Sequence, residues 1–266
     1  MKVNEIELTS IDKEKNLKEP KYEINHFYLV RFSLVLALSA SIQSGIALSE
    51  NGQIGYILAE KLGWEKTDIT KCTLLGPVGI ALGSVMGGVI GPKVGIFRLL
   101  IAANGIAVFS NLIKVIETST TIFVGRFMFS VCTGLANFCM SKALSETVPG
   151  RYEQRYGIFY NSGLQFGILL TSIFGVFLPR LDDAQSMKTD KLWRIIWLIP
   201  IVMELIALII IPVFYKHLSL KDLIQNENQA ELAICELQKT YVLSTEASSV
   251  SSKNQEASNL ILVLKS

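Results

Sequence analysis

The sequence GRFMFSVCTGLANFCMSKALSETVPGRYEQRYGIFYNSGLQFGILLTSIFG, from Gly125 to Gly175, contains two apolar segments joined by a short charged turn. Arg126 and Glu146 flank the first segment and are about 20 residues apart, so a helix would separate them by about 30 Å. That length is roughly the thickness of the hydrocarbon core of a bilayer. The pattern predicts one membrane-spanning helix with Arg126 and Glu146 at its two ends, followed by a second.

The composition of the chain is that of a membrane protein. Apolar residues make up 50% of it and charged residues only 18%, with a mean hydropathy of +0.41. Soluble domains carry about 25% charged residues. The net charge of +2 is too small to indicate nucleic acid as a partner. The first 26 residues are polar, so we do not expect a cleavable signal peptide there.

Apolar runs of about 20 residues, the length that one helix needs to cross a bilayer, recur along the chain. Six such runs predict an all-α, polytopic membrane protein with six transmembrane helices. The spans are predicted at residues 27–48, 72–92, 96–116, 125–149, 156–178 and 193–215.

The polar segments divide the chain into three parts. Residues 1–26 are predicted to be a cytosolic tail, 27–216 the transmembrane domain, and 217–266 a cytosolic helix (Leu220–Val242) followed by a Ser-rich tail. An even number of spans places both termini on one side, and the lysines before the first span favour the cytoplasm. The polar segment Glu50–Lys71 is predicted to be an outer loop.

Four glycines recur every four residues in the second span, which places them on one stripe of a helix. Small residues at this spacing let two membrane helices approach closely. We therefore predict helix packing at Gly79, Gly83, Gly87 and Gly91.

Polar side chains inside the predicted spans are expected to face other helices or a water-filled path, because hydrocarbon cannot satisfy them. Gln43 lies in the first span, and Asn161 and Gln165 lie one helical turn apart in the fifth. Glu204 is near the centre of the sixth span. We expect its carboxyl group to be protonated or paired within the bundle.

The sequence does not favour an enzyme. His26 and His217 are the only histidines, and neither lies in a plausible catalytic constellation. The four cysteines show no metal-binding spacing. We therefore predict no catalytic residue, no metal and no cofactor.

The fourth and fifth spans resemble the sugar-porter branch of the major facilitator superfamily, which includes the facilitative glucose transporters. Members carry GR at the start of the fourth helix, an SE-x-x-P-like end to it, and GIL with a further Gly at the end of the fifth. The matching residues are Gly125-Arg126, Ser145-Glu146 with Pro149, and Gly167-Ile168-Leu169 with Gly175. The resemblance covers about residues 27–240 and implies the N-terminal six-helix half of such a transporter.

The resemblance also implies roles for individual residues. Asn161 stands where family members carry a sugar-binding Gln, and Gln165 and Gln43 complete the expected substrate-binding set. Asn161 could instead bond a neighbouring helix. The family also closes its cytoplasmic side with a charge network, for which the corresponding and nearby residues are Arg126, Glu146, Arg151, Arg155 and Lys93.

The implied activity is the facilitated movement of a sugar or similar small polar solute, with a hexose as one candidate. Gly45 is not followed by the acid that proton-coupled members carry, so proton symport is not supported at that position. Glu204 is the alternative place for a proton. We expect a half or truncated transporter in a lipid bilayer that pairs with a second six-helix half, on the same or another chain. The alternative is a non-transporting membrane protein with a binding or regulatory role.

Overall fold

The computed structural model describes residues 22–148, 150–179, 191–214 and 241–243. Within these residues the chain forms six long helices and one short pair of strands. The helices are α1 (His26–Leu62), α2 (Lys66–Val94), α3 (Ile96–Lys114), α4 (Ser119–Thr147), α5 (Gly150–Val176) and α6 (Trp193–Phe214). The strands β1 (Tyr22–Ile24) and β2 (Tyr241–Leu243) pair antiparallel.

The first helix is longer than its apolar run. It is α-helical from His26 to Leu36, π-helical over Ala37–Ser41, and α-helical again from Ile42 to Leu62. It ends at Gly63, whose left-handed backbone (φ 66°) is the usual way to close a helix. A capping box between Glu65 and Asp68 then starts α2. The predicted outer loop at Glu50–Lys71 is therefore wrong, because only residues 63–65 leave the two helices.

Helix α4 packs on α2 and α3, while α1 packs on α5 and α3 packs on α6. Two of these contacts are glycine crossings. A methyl group at Gly83 of α2 would overlap the Val131 carbonyl oxygen and lie 3.1 Å from the Gly134 Cα of α4. A methyl group at Gly45 of α1 would overlap the Leu164 carbonyl oxygen and lie 3.0 Å from the Gly167 Cα of α5. Backbones meet here because neither partner carries a side chain.

The stripe of glycines predicted in the second span faces α4 along its whole length. All four glycines are buried, and α4 supplies Ser130, Val131, Gly134 and Phe138 opposite them. The other face of α2 exposes large apolar residues such as Val85 and Val89. The helix thus presents its small residues to the bundle and its large ones outward.

Five of the six helices, α1, α2, α3, α4 and α6, are long and apolar enough to cross a membrane. Helix α5 has 27 residues, which is sufficient length, but a lower apolar content. Exposed large apolar side chains such as Val176 and Ile209 point outward from the bundle. The predicted fold class, a helical multi-pass membrane protein, is confirmed; the strand pair is its one departure from all-α structure within the described residues.

Several predictions fall wholly or partly outside the described residues. The tail before Tyr22, residues 180–190 and the Ser-rich segment Ser244–Ser258 lie outside them. So does most of the helix predicted at Leu220–Val242. Its last two residues, Tyr241 and Val242, lie in β2, because the antiparallel partner β1 supplies their backbone hydrogen bonds.

Candidate functional site

Three charged side chains from three helices meet inside the bundle. Glu50 comes from α1, Lys114 from the end of α3 and Arg126 from α4, and all three are buried. The Lys114 Nζ atom donates to both Glu50 carboxylate oxygens at 2.9 and 3.1 Å. Arg126 Nη1 donates to Glu50 Oε1 at 2.7 Å. Two cations therefore share one carboxylate, and we call this set the ion cluster.

The local backbone makes room for the ion cluster and supplies further acceptors. Arg126 Nε donates to the Cys72 carbonyl oxygen at 2.6 Å, and Nη2 donates to that of Ala47 at 3.3 Å. A methyl group at Gly125 would lie 2.8 Å from Lys114 Cγ. Glycine at that position therefore lets the lysine pass between α3 and α4.

Aromatic rings cover the Lys114 ammonium group on the sides that Glu50 leaves open. Its Nζ atom lies 4.2 Å from the centre of the Phe129 ring and 5.6 Å from that of Trp197. Rings at these distances attract a cation through their electron-rich faces. The positive charge of Lys114 is thus stabilised by two ring faces as well as by the Glu50 carboxylate.

The position of Arg126 corrects its predicted place at one end of a span. The side chain turns into the bundle and bonds Glu50, because α1 continues past its apolar run and carries this carboxylate to the same depth. Arg126 is about 30 Å along α4 from Glu146. Glu146 forms an ion pair with Lys142 on its own helix at 3.1 Å.

The other residues of the predicted charge network lie near the α2–α3 and α4–α5 turns. Lys93 is in the last turn of α2 and is exposed, as is Arg155 near the start of α5. Arg151 is in the first turn of α5, and its side chain is outside the described part of the structure. A gating role for this set stays a prediction, and Arg126 is separated from the rest.

The polar residues of α1 bond other helices of the bundle. Gln43 Nε2 donates to Asn104 Oδ1 of α3 at 2.8 Å, and Ser44 Oγ donates to Asn137 Oδ1 of α4 at 2.8 Å. Gln43 is only 1% exposed. Gln43 is therefore buried in a packing contact, whereas the other two predicted substrate-binding residues are exposed, and its role in binding a solute stays a prediction.

Asn161 and Gln165 lie on a face of α5 that the described helices leave open. Both side chains are exposed, whereas Gly163 and Gly167 on the opposite face contact α1. Each amide offers two donor hydrogens and an acceptor oxygen. We call the surface around these two residues the amide face. In a bilayer it needs water, a solute or another helix as a partner, since lipid tails offer no hydrogen bonds.

Sequence reasoning missed two residues of the ion cluster, Glu50 and Lys114. Lys114 lies inside the predicted third span, and a lysine within an apolar run is itself a signal of a buried partner. Glu50 follows the first apolar run directly, where its charge resembles the start of a loop. Among the described residues there is no group of three or more His, Cys, Asp or Glu side chains that could hold a metal ion.

The family model of the Major Facilitator Superfamily matches residues 29–255 of the chain. The chain belongs to this superfamily. Among similar proteins, Myo-inositol transporter 1 of Candida albicans (strain SC5314) is 34% identical over 132 residues, which are 46% of this chain and 23% of that protein. Hexose transporter 1 of Plasmodium vivax (strain Brazil I) is 23% identical over 209 residues, 73% of this chain and 42% of that protein.

A solved major facilitator structure shares the fold. The proton:xylose symporter XylE bound to 6-bromo-6-deoxy-D-glucose superposes with a TM-score of 0.69 at 17% sequence identity. The match covers 91% of this chain and 53% of the XylE chain. The chain thus spans about half or less of the length of these proteins.

Proposed function

We propose that the chain is part of a sugar-porter-type transporter that moves a sugar or a similar small polar solute by facilitated transport. The relatives support this solute class, since their names specify myo-inositol, hexose and xylose. These compounds share a ring bearing several hydroxyl groups. The observation that carries the proposal is the amide face, because it offers hydrogen bonds on a surface of the bundle that the described helices leave open.

The chemistry of the amide face suits a polyhydroxylated ring. A hydroxyl group both donates and accepts, and so does a carboxamide, so one amide can bond two neighbouring hydroxyls of a sugar. Asn161 and Gln165 are one helical turn apart, about 6 Å along α5. That spacing is comparable to the width of a pyranose ring. Asn161 is our first candidate for solute contact and Gln165 the second.

A second six-helix half, from this or another chain, would complete the site. The amide face cannot remain against lipid, and transporters of this architecture hold the solute between two halves near the middle of the membrane. In this arrangement the exposed apolar residues that the second half leaves uncovered would face the bilayer. Both termini would lie in the cytoplasm, where Lys93, Glu146, Arg151 and Arg155 would form the gating charges.

The proposal is tested by reconstituting the purified chain in liposomes, alone and with any co-purifying second half. Uptake of radiolabelled D-glucose, D-xylose and myo-inositol is measured, with L-glucose as the control for leakage. Thermal unfolding with each solute reports binding separately from flux. We expect saturable uptake that the unlabelled solute suppresses.

The outcomes separate the two functions that the sequence left open. Solute-dependent stabilisation without flux would assign recognition to this half and flux to the assembled pair. Neither binding nor flux for any of these solutes would contradict the proposal and favour the non-transporting alternative. The similarity to named transporters over 73% of the chain does not favour that alternative.

A further inference from the structure

A buried carboxyl group and a buried amide join α6 to α3. Asn111 Nδ2 donates to Glu204 Oε1 at 2.9 Å, and both residues are 0% exposed. The other two polar atoms of this pair, Asn111 Oδ1 and Glu204 Oε2, are buried and have no hydrogen-bond partner among the described residues. Two unpaired buried oxygens on two residues that already touch need a physical explanation.

A single proton would satisfy both oxygens. An ionised carboxylate only accepts hydrogen bonds, and so does an amide oxygen, so Oε2 and Oδ1 cannot bond each other without a hydrogen. A carboxylic acid has an O–H donor, and it pairs with a carboxamide in both directions at once. We propose that Glu204 is a proton-binding site: its Oε2 carries a proton, which it donates to Asn111 Oδ1.

Charge balance within the bundle acts in the opposite direction. The ion cluster holds two cations, Lys114 and Arg126, and one carboxylate, Glu50, so an ionised Glu204 would neutralise it. However, no lysine or arginine nitrogen of the described chain lies within 4.0 Å of a Glu204 oxygen. The ionised form would therefore be buried with one hydrogen bond from a neutral amide, which is the costlier arrangement.

The net positive charge of the ion cluster is already stabilised without Glu204. Lys114 gives its donors to both oxygens of Glu50 and lies against the rings of Phe129 and Trp197. Such ring faces stabilise a desolvated ammonium group. The cluster can therefore carry one net positive charge without drawing on Glu204.

The charged and titratable groups around Glu204 come from three helices. Lys114 is on α3, Glu50 is on α1, and α4 contributes Arg126 and the Cys132 thiol. The described charged residues of α5, Glu153 and Arg155, lie in its first two turns. They are far along the helix from Thr171, which bonds α1. Glu204 has an unpaired oxygen that a proton would pair, whereas both oxygens of Glu50 already accept hydrogen bonds from cations.

Infrared spectroscopy and thermal unfolding test this site with two matched neutralisations, E204Q and E50Q. The full chain is purified with ¹³C-labelled glutamate. At about pH 7 an ordinary glutamate is ionised, so the C=O stretch of a protonated carboxyl group should come from Glu204 alone. We expect this band in the unsubstituted protein and its loss in E204Q.

The two variants should also differ in stability. A glutamine at position 204 pairs with Asn111 as the acid does, with its amide donating to Oδ1, so we expect Tm within about 2 °C of the parent. E50Q leaves two buried cations without a carboxylate and should lower Tm by roughly 10 °C or more.

Absence of the protonated band, or a drop in Tm for E204Q as large as that for E50Q, would overturn the proposal. If E50Q does not fold, the infrared comparison of the parent and E204Q decides alone. Neither readout requires transport, so the site can be tested whether or not the chain moves a sugar.

Discussion

Arg126 Nη1 and Glu50 Oε1 lie 2.7 Å apart across the contact between α4 and α1, and Lys114 of α3 bonds the same carboxylate. One acidic group therefore joins three helices. Removing one member of a buried ion pair is costly because its partner stays buried without compensation. In this cluster the cost depends on which member is removed.

Neutralising Glu50 should destabilise the protein far more than neutralising Lys114. E50Q leaves two buried cations, and we expect a loss of about 3–5 kcal/mol. K114M leaves the Glu50–Arg126 pair intact and fills the space beside Phe129, so its loss should be smaller. Thermal unfolding in detergent, followed by tryptophan fluorescence, measures both variants. Equal losses in the two variants would contradict this ranking.

Asn161 should contribute to solute affinity and little to stability, because its side chain lies on the open face of α5. We expect N161A to weaken apparent affinity about 2- to 10-fold, the cost of one hydrogen bond. N161Q keeps the amide and should restore most of the affinity. Solute-dependent thermal shifts measure both, and an unchanged N161A would remove Asn161 from the site.

Gln43, in contrast, should contribute to stability and little to solute affinity. In Q43A the buried Asn104 Oδ1 loses its donor, and we expect a loss of about 1–3 kcal/mol. Affinity per folded molecule should change little. A stable Q43A protein with weakened solute binding would instead return Gln43 to the substrate-binding set that the sequence suggested.

The two kinds of helix glycine can be told apart by adding one methyl group. G83A would overlap the Val131 carbonyl oxygen and force α2 from α4, so we expect a loss of about 1–3 kcal/mol. Gly105 of α3 has nothing within 4 Å of the added atom. G105A should therefore be neutral or stabilising by up to about 1 kcal/mol, since alanine favours helix. Unfolding midpoints that fall equally in both variants would exclude close α2–α4 contact as the cause.

An ion-pair network at the Leu62 end of α1 should weaken in acid. Glu117, between α3 and α4, pairs with Lys61 at 2.7 Å and Arg194 at 2.9 Å. The hydrogen bond from Lys61 lowers the pKa of Glu117 below its ordinary value of 4.5. The stabilisation is thus present above the unfolded-state pKa and is lost as pH falls through the lower folded-state pKa.

The E117Q variant tests this network. It should lose about 1 kcal/mol or less near neutral pH, because the pair is partly exposed. The difference between E117Q and the parent should shrink as the pH falls below about 4. Measuring Tm from about pH 7 to pH 3 checks this, and a difference that grows in acid would contradict it.

The sequence predicted six long helices, because an apolar run of about 20 residues matches the thickness of a bilayer, and five of the six are apolar enough to cross one. It also placed four glycines on one stripe of α2 from their spacing alone, and the structure puts that stripe against α4. Both inferences use neighbours within one helix. They need no knowledge of what lies across the bundle.

The ion cluster could not be predicted in the same way because its members are distant in sequence. Glu50 meets Lys114 after 64 residues and Arg126 after 76. A polar segment signals a loop only if its side chains face water, and Glu50 faces two cations instead. From the sequence, Gln43 likewise resembles a residue that lines a water-filled path. Its hydrogen-bond partner, Asn104, is 61 residues away in the chain.

The π-helical turn Ala37–Ser41 sets the phase of the rest of α1. The Ile42 amide donates to the Ala37 carbonyl oxygen, so this turn holds one residue more than an α-helical turn. Each residue rotates a helix by about 100°. If the same five residues were wound as a regular α-helix, Gln43, Gly45 and Glu50 would rotate together by about 100°, away from the side chains and backbone that they meet. The wider π turn thus accommodates one extra residue and keeps the rest of α1 in register with its partner helices.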